Sequence, residues 1–142
     1  MATLSRISWN PIYSVHVEVL DAQHRKLFEI VNRLINVFES RSGDLLPAIK
    51  ELIDYLSVHF REEHTVMMNA NYPNLLSHRK EHLKFTEKIE EFLKGYKEGD
   101  KELGLNMVVF LKDWVRDHTT QLDVQYGEYL LKYATKLTQP HK

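Results

Sequence analysis

Seven side chains that could bind metal ions recur along this chain at spacings typical of helices. The set consists of five histidines, one glutamate and one aspartate, namely His24, His59, Glu63, His78, His82, His118 and Asp123. Imidazole and carboxylate ligands suit iron and manganese, and the absence of cysteine excludes thiolate sites, iron–sulfur clusters and disulfides. Seven protein ligands are too many for one tetrahedral zinc ion. The seven-residue set therefore predicts a pair of metal ions.

The spacing within the set places pairs of ligands on common helix faces. Residues four positions apart on an α-helix differ by about 40° around its axis. His59 and Glu63 are therefore expected to point the same way, as are His78 and His82. His118 and Asp123 lie five positions apart, which leaves roughly 140° between them on an ideal helix. Either the helix is widened there as a π-bulge, or Asp123 reaches around to the common centre.

The number of ligands predicts how the two metal ions differ. If both carboxylates and a solvent oxygen bridge the ions, each ion begins with three ligands, and the five histidines must divide three to two. One ion is then six-coordinate, and the other keeps an open position for a small molecule. Ferritin-like di-iron proteins use four carboxylates with two Glu-x-x-His pairs, whereas this chain offers two candidate carboxylates. Because fewer anionic ligands stabilise high-valent iron less, we infer reversible ligand binding rather than oxidative cleavage of O2.

Four segments with apolar residues at a period of 3.6 carry these ligands. The pattern predicts helices at about 18–38, 45–69, 73–96 and 100–137. Residues 1–17 are expected to form an N-terminal arm that Trp9, Ile12 and Tyr13 anchor against the helices. Short connections make neighbouring helices antiparallel, so the sequence predicts an all-α, up-down-up-down four-helix bundle. We expect residues 1–142 to form one domain.

Charge and composition limit the partners of the chain. Nineteen basic and twenty acidic residues give a formal net charge of -1 without a dense Lys/Arg block, so neither nucleic acid nor an anionic membrane is an expected partner. The N-terminal residues lack the apolar core of a signal peptide. No apolar run approaches the roughly 20 residues that cross a bilayer. We therefore expect a cytoplasmic protein without membrane insertion.

The order of the ligands resembles that of the hemerythrin family. The shared pattern is His, His-x-x-x-Glu, His-x-x-x-His and His-x-x-x-x-Asp, and all seven positions are filled here. Further residues are similar to those of the single-domain bacterial members: Trp9, Asp21-Ala22-Gln23-His24, His59-Phe60-Arg61-Glu62-Glu63, Tyr72-Pro73 and Trp114, which stands four positions before His118. The resemblance covers about residues 9–130.

This resemblance implies a non-haem di-iron protein that binds O2 reversibly as a carrier, store or delivery protein. It implies an oxo- or hydroxo-bridged pair of iron ions with the following ligands: His78, His82 and His118 on the six-coordinate iron, His24 and His59 on the open one, and Glu63 and Asp123 as bridges. The sequence identifies no delivery partner such as an oxidase. Tyr126, three residues after Asp123, is a candidate donor that orients a carboxylate.

The resemblance also implies an apolar wall around bound O2. Leu27, Phe60 and Trp114 would contribute to this wall and exclude water. The family usually has a bulky aliphatic residue directly after the last histidine, where this chain has Thr119. A hydroxyl there could hydrogen-bond bound oxygen species or admit water, so we predict faster autoxidation than in relatives with an aliphatic residue.

Other interpretations of the same residues lead to other functions. A single buried histidine is usually a core residue, so only the complete set in register favours a metal centre. The same centre could serve a di-iron enzyme acting on O2, peroxide or nitric oxide, or a free-standing sensor of O2 or redox state. The remaining histidines, His16, His64 and His141, are expected in the arm, on a helix surface and in the tail. His64 directly follows Glu63, so it could instead supply an imidazole near the metal centre.

Overall fold

The structure is a computed structural model that describes residues 4–40, 44–96 and 100–138, the last five by their backbone alone. Its α-helices are α1 (Glu18–Ser40), α2 (Leu46–Asn69), α3 (Leu75–Gly95), α4 (Lys101–Asp117) and α5 (Asp123–Thr138). One π-helical turn, His118–Leu122, joins α4 to α5, so these three elements form one long helix. A short 3-10 turn, Pro11–Tyr13, precedes α1.

The helices pack as the predicted four-helix bundle. Helix α1 packs against α2 and α4, and α3 packs against the same two helices on the other side. The bundle is therefore closed, with the long α4–α5 helix as its fourth member. All helices and turns of the described residues belong to this all-α architecture, which confirms the predicted fold class. Among them, no helix has both the length and the apolar composition needed to span a membrane.

Local signals explain where several helices begin and end. Pro47 lies in the first turn of α2, where its missing N–H is not needed. At the start of α4, Asp100 accepts a hydrogen bond from the backbone N–H of Leu103 at 3.0 Å. After α2, Asn71 adopts a left-handed conformation with φ of 54°. Asparagine tolerates this conformation well, so the chain can turn there towards α3.

Two apolar clusters divide the interior along the bundle. The larger one lies around Leu34, Leu52 and Leu111, and the smaller one lies around Leu20 and Met67. On each of the four helices, the members of the seven-residue set stand in sequence between residues of the two clusters. The fold therefore places a buried polar layer between two apolar layers, with a contribution from every helix.

Of the predicted anchors of the N-terminal arm, Trp9 packs against the larger apolar cluster, whereas Ile12 does not hold the arm. Ile12 is 74% exposed, so its predicted anchoring role is wrong, whereas Ile7 and Val15 are buried. The carboxylate of Asp21 on α1 accepts hydrogen bonds from the hydroxyl of Ser14 at 2.6 Å and from the N–H of Val15 at 2.8 Å. A Cβ atom at Gly127 would lie 2.6 Å from the Cα of Val15, so the arm crosses α5 in direct contact.

Candidate metal centre

The seven predicted ligands meet in one buried layer. They come from all four helices of the bundle, and none is more than 6% exposed. Such burial without charge compensation would be costly for two carboxylates. The layer therefore needs either internal partners or bound cations.

The π-helical turn resolves the spacing of His118 and Asp123. The backbone N–H of Asp123 donates to the carbonyl of His118, five residues earlier. This wider turn returns the chain to the same face after five residues instead of four. As a result, Nε2 of His118 lies 3.2 Å from Oδ1 of Asp123. Of the two alternatives that the sequence left open, the widened helix is the one observed.

The ligand atoms form two groups that share one carboxylate. Within each group, all ligand atoms lie within 4.8 Å of one another. The three-histidine group consists of Glu63, His78, His82 and His118. The two-histidine group consists of His24, His59, Glu63 and Asp123. The histidines are thus divided three to two.

Glu63 presents one oxygen to each group. Its Oε1 lies 2.7 Å from Nε2 of His78, and its Oε2 lies 2.8 Å from Nε2 of His59. A carboxylate in this position is able to bridge two cations.

Asp123 is oriented in the same way from the opposite helix. Its Oδ1 lies 3.1 Å from Nε2 of His78, and its Oδ2 lies 3.1 Å from Nε2 of His24. Two carboxylates therefore join the three-histidine group to the two-histidine group.

Several buried ligand atoms lack hydrogen bonds in spite of these short distances. Within the described part of the chain, Oε2 of Glu63 and both carboxylate oxygens of Asp123 have no hydrogen-bond partner. Buried carboxylate oxygens are normally hydrogen-bonded or bound to metal. The donor set therefore fits a pair of cations held by nitrogen and oxygen ligands.

The electrostatics of the ligand set keep both carboxylates charged. Burial and the nearby charge of Asp123 act to raise the pKa of Glu63, but the imidazoles of His59 and His78 lower it to about 2. Burial acts to raise the pKa of Asp123 also, and His118, His24 and His78 hold it well below its ordinary value. Both groups are thus ready to bind cations at neutral pH.

Two histidines of the set respond in opposite directions. Burial acts to lower the pKa of His78, but the adjacent carboxylates of Asp123 and Glu63 raise this pKa to about 9. For His82, burial dominates and lowers the pKa to about 2. His82 is therefore a neutral imidazole at any physiological pH, which is the form that binds metal.

A comparison with known proteins agrees with this geometry. The family model for the hemerythrin HHE cation binding domain matches residues 15–129, a range that contains every member of both ligand groups. The chain belongs to the hemerythrin family. The matched model describes a cation-binding domain, in agreement with the two groups of ligand atoms.

Curated relatives cover most of this hemerythrin. The bacteriohemerythrin of Clostridium acetobutylicum is 31% identical over 124 residues, which are 83% of this chain and 96% of the relative. The bacteriohemerythrin of Methylococcus capsulatus is 28% identical over 119 residues, covering 83% and 91%. A hemerythrin-like protein of Naegleria gruberi is 30% identical over 122 residues, covering 86% and 92%.

A solved structure has the same fold. It is a crystal structure of a hemerythrin in which a leucine is replaced by tyrosine, with a TM-score of 0.71 and 26% sequence identity to this chain. The alignment covers 88% of this hemerythrin and 97% of that protein.

Two of the site histidines are supported from behind by neighbouring side chains. Oε1 of Gln23 lies 2.6 Å from Nδ1 of His59, and the amide of Gln23 also donates to Glu62. Nε2 of His64 lies 2.8 Å from Nδ1 of His82. Contacts of this kind orient histidine ligands in metal sites.

For His64, the sequence allows a helix-surface position or an imidazole near the metal centre, and the structure supports the second. The side chain of His64 is half-buried. One side of its ring faces the helix surface, as expected, and the other side contacts His82. The one sequence signal was its place directly after Glu63. His16 is exposed, in the arm as expected, and His141 lies outside the described residues.

An aromatic wall covers the three-histidine group. The ring of Phe60 stacks on His82 with 3.7 Å between centroids, and the ring of Trp114 stacks on His118 with 4.4 Å. These two aromatic rings contact each other edge to face at 5.6 Å. Leu27 belongs to the larger apolar cluster, against which Phe60 and Trp114 pack. Thr119 is buried in the π-helical turn.

Tyr126 contacts the site through its ring. The ring is perpendicular to that of His78, with centroids 5.4 Å apart. Its hydroxyl is fully buried and has no hydrogen-bond partner among the described residues, so the expected hydrogen bond to a carboxylate is not observed. Burial, with the charges of Glu63 and Asp123, raises the pKa of Tyr126 well above its ordinary value.

Proposed function

We propose that this hemerythrin binds O2 reversibly at a non-haem di-iron centre and serves as a carrier, store or delivery protein. The observation that carries the proposal is the pair of ligand groups joined by Glu63 and Asp123, each of which presents one oxygen to either side. A single cation would leave one of these groups without a charge partner. Two iron ions would satisfy both.

The proposal assigns the ligands as the two groups divide them. One iron would be held by His78, His82 and His118, and the other, which would accept O2, by His24 and His59. Glu63 and Asp123 would contribute one oxygen to each iron. When bound in the ferrous state, the two iron ions supply the electrons and the open position that O2 requires.

The protein would then control which other molecules reach the centre. Phe60 and Trp114 stack on ligands of the three-histidine group and would exclude water from that side. Leu27 is buried in the larger apolar cluster, which would exclude water along the bundle. The two carboxylates are charged at neutral pH, so no proton has to leave them when iron binds. Low access of water and protons favours release of O2 as O2 rather than its loss as reduced oxygen species.

The small number of carboxylates favours binding over turnover. Two carboxylates offset less positive charge than the four of ferritin-like di-iron proteins, so they stabilise high-valent iron less. One observation favours a second candidate, a di-iron enzyme acting on O2, peroxide or nitric oxide. The buried Thr119 directly follows His118 in the π-helical turn, and its hydroxyl could admit water or a proton to the centre.

The test begins with the metal content of the chain. After anaerobic loading with ferrous iron, elemental analysis should give about two irons per chain, whereas a single zinc ion or no metal would contradict the proposal. The loaded protein is then taken through several cycles of oxygenation and O2 removal, followed by optical and resonance Raman spectra.

Recovery of the ferrous spectrum in each cycle supports reversible binding. Rapid conversion to a stable diferric form, with turnover when an electron donor is added, would favour the enzyme instead. A variant in which Glu63 and Asp123 are both replaced by their amides serves as the matched control, because it keeps the side-chain volumes and removes both bridging charges.

A further inference from the structure

His64 lies outside the seven-residue set and contacts one member of that set, His82, on a neighbouring helix. It follows Glu63 on α2, whereas His82 belongs to α3. The two imidazoles are 2.8 Å apart between Nε2 of His64 and Nδ1 of His82, and their rings are nearly parallel with 4.8 Å between centroids. We propose that His64 is a positioning residue that accepts the Nδ1 hydrogen of His82 and thereby fixes the metal-binding nitrogen of that ligand.

The direction of the hydrogen bond follows from the chemistry of imidazole. A neutral imidazole carries one N–H, on either Nδ1 or Nε2. Nε2 of His82 points into the centre, 2.9 Å from Nε2 of His118. If Nε2 binds iron, as in the proposed function on which this inference rests, the hydrogen must be on Nδ1. Nδ1 then donates, and Nε2 of His64 accepts.

A second contact from the same helix fixes the plane of the His82 ring. Phe60 precedes His64 by four residues on α2, and its ring is stacked on His82 at an interplanar angle of 10°. Stacking restricts tilt of the imidazole but leaves it free to rotate in its own plane or to flip. A hydrogen bond at Nδ1 removes that freedom, so Phe60 and His64 together determine the orientation of His82.

The surroundings of His64 favour its role as the acceptor. It lines a surface groove of about 500 Å³ between α2 and α3, together with Arg61, Arg79 and Lys80. All three of these charged side chains are donors without an acceptor atom. They cannot take the Nδ1 hydrogen of His82 in place of His64. The groove also leaves the outer side of His64 open to solvent, so a substitution there can be accommodated.

The same device supports another proposed ligand. His59, in the two-histidine group, has its Nδ1 bound to the amide oxygen of Gln23 at 2.6 Å. In contrast, Nδ1 of His24 and Nδ1 of His118 are buried without a hydrogen-bond partner among the described residues. One histidine in each ligand group is therefore anchored by a side chain, and His64 provides this anchor for the three-histidine group.

Four variants separate the hydrogen bond from packing and from charge. His64→Leu removes the acceptor and keeps an apolar side chain on His82. His64→Gln places an amide oxygen near the position of Nε2, whereas His64→Asn is polar but too short to reach. Arg61→Gln is the control, because it changes the charge of the groove without removing the acceptor.

Iron retention is measured by competition with a chelator. Loss of a hydrogen bond behind a metal ligand typically weakens metal binding by about 10-fold to 100-fold, and we expect this loss in His64→Leu and His64→Asn. His64→Gln should recover most of the affinity, and Arg61→Gln should match the unchanged protein. Equal iron retention in His64→Leu and the unchanged protein would overturn the proposal, as would equal losses in His64→Gln and His64→Asn.

A second readout does not depend on iron. In the iron-free protein, ¹⁵N NMR of the imidazoles should show His82 with its hydrogen on Nδ1 in the unchanged chain and in His64→Gln. The Nε2–H form should gain population in His64→Leu and His64→Asn, and an unaltered His82 spectrum in both would overturn the proposal. If the unchanged chain bound no iron, the proposed function would fail, while this spectrum would still test the contact with His64.

Discussion

Asp123 donates its backbone N–H to the carbonyl of His118, and this hydrogen bond closes the π-helical turn on which the candidate centre depends. The turn contains five residues, two of which are buried, and its middle positions are the more exposed Thr120 and Gln121. Without it, the two ligands would be separated by roughly 140° on an ideal helix. The wider turn therefore accommodates the extra residue and keeps both side chains on one face.

Deletion of Gln121 should leave a working centre, since four residues on an α-helix return to within about 40° of the same face. We expect about two irons per chain after this deletion. Insertion of one alanine after Gln121 is the matched change, because it should turn the carboxylate away and cause loss of iron. The measurement is elemental analysis together with helical content by circular dichroism. Retention of iron in the insertion variant would show that the register of this turn is not required.

The π-helical turn also marks a limit of what could be predicted from sequence. The periodicity of apolar residues predicts the four helices because burial of one face determines each of them. The ligands could be found in the same way, since histidine and glutamate occupy positions of the inward stripe. Contacts with the other helices determine whether the helix widens at these five residues or stays regular, with the Asp123 side chain reaching around it. Neither the spacing nor the residue types of His118 and Asp123 contain that information.

Ile12 and His64 show related limits of the sequence. The arm has no helical periodicity, so Ile12 was selected for its apolar side chain alone, and it is in fact exposed. The role of His64 depends on the relative rotation of α2 and α3, which brings it against His82. An inward-facing ligand can be inferred from one helix, whereas a residue that supports a ligand from a neighbouring helix requires the packed structure.

Replacing Asp123 by asparagine should lower the iron content well below two per chain. The amide keeps the shape of the side chain, but it removes the charge that both ligand groups share through Oδ1 and Oδ2. Elemental analysis measures the loss. Asp117→Asn, an exposed acid one residue before the π-helical turn, is the control and should retain both irons. Full iron content in Asp123→Asn would contradict a bridging role.

Removal of the Thr119 hydroxyl should slow autoxidation several-fold. Thr119 is 2% exposed and directly follows the ligand His118, and a hydroxyl near the centre can hydrogen-bond water or bound oxygen species. Thr119→Val keeps nearly the same volume, and Thr119→Ile restores a bulkier aliphatic side chain. The rate is followed optically as the oxygenated protein decays to the diferric form. Thr120→Val in the same turn serves as the control. Equal autoxidation rates in all variants and in the unchanged protein would show that the Thr119 hydroxyl does not affect autoxidation.

The iron-free protein should lose stability as the pH falls from about 7 to 5. The pKa of His82 is about 2 in the folded state, against an ordinary value of 6.5. Below about pH 6.5, His82 is therefore protonated in the unfolded state but remains neutral in the folded state. One such group lowers the free energy of unfolding by up to about 1.4 kcal/mol per pH unit. Denaturant unfolding at several pH values measures this slope.

The pKa values of His78 and Glu63 place the main effects of these two groups on either side of this pH window. His78, with a raised pKa of about 9, contributes stability that is complete below pH 6.5 and is lost as the pH rises through 9. Glu63, with a lowered pKa of about 2, contributes stability that is lost only as the pH falls from about 4.5 towards 2. His82→Gln should therefore flatten the slope between pH 7 and 5. An unchanged slope would assign the acid sensitivity to other residues.

Gly127→Ala should destabilise the protein by about 1 to 3 kcal/mol, the usual cost of overpacking a filled interior. The added Cβ would lie 2.6 Å from the Cα of Val15, and a backbone atom held by the hydrogen bond from Val15 to Asp21 cannot move away freely. Gly95→Ala is the matched control, because its nearest neighbour is a side-chain atom of Leu103 at 3.7 Å. Denaturant unfolding of the iron-free variants measures both changes. If Gly127→Ala were no less stable than Gly95→Ala, the arm would not be held in close contact with α5 at Gly127. The packing of Val15 in the smaller apolar cluster would then have to hold the arm without this contact.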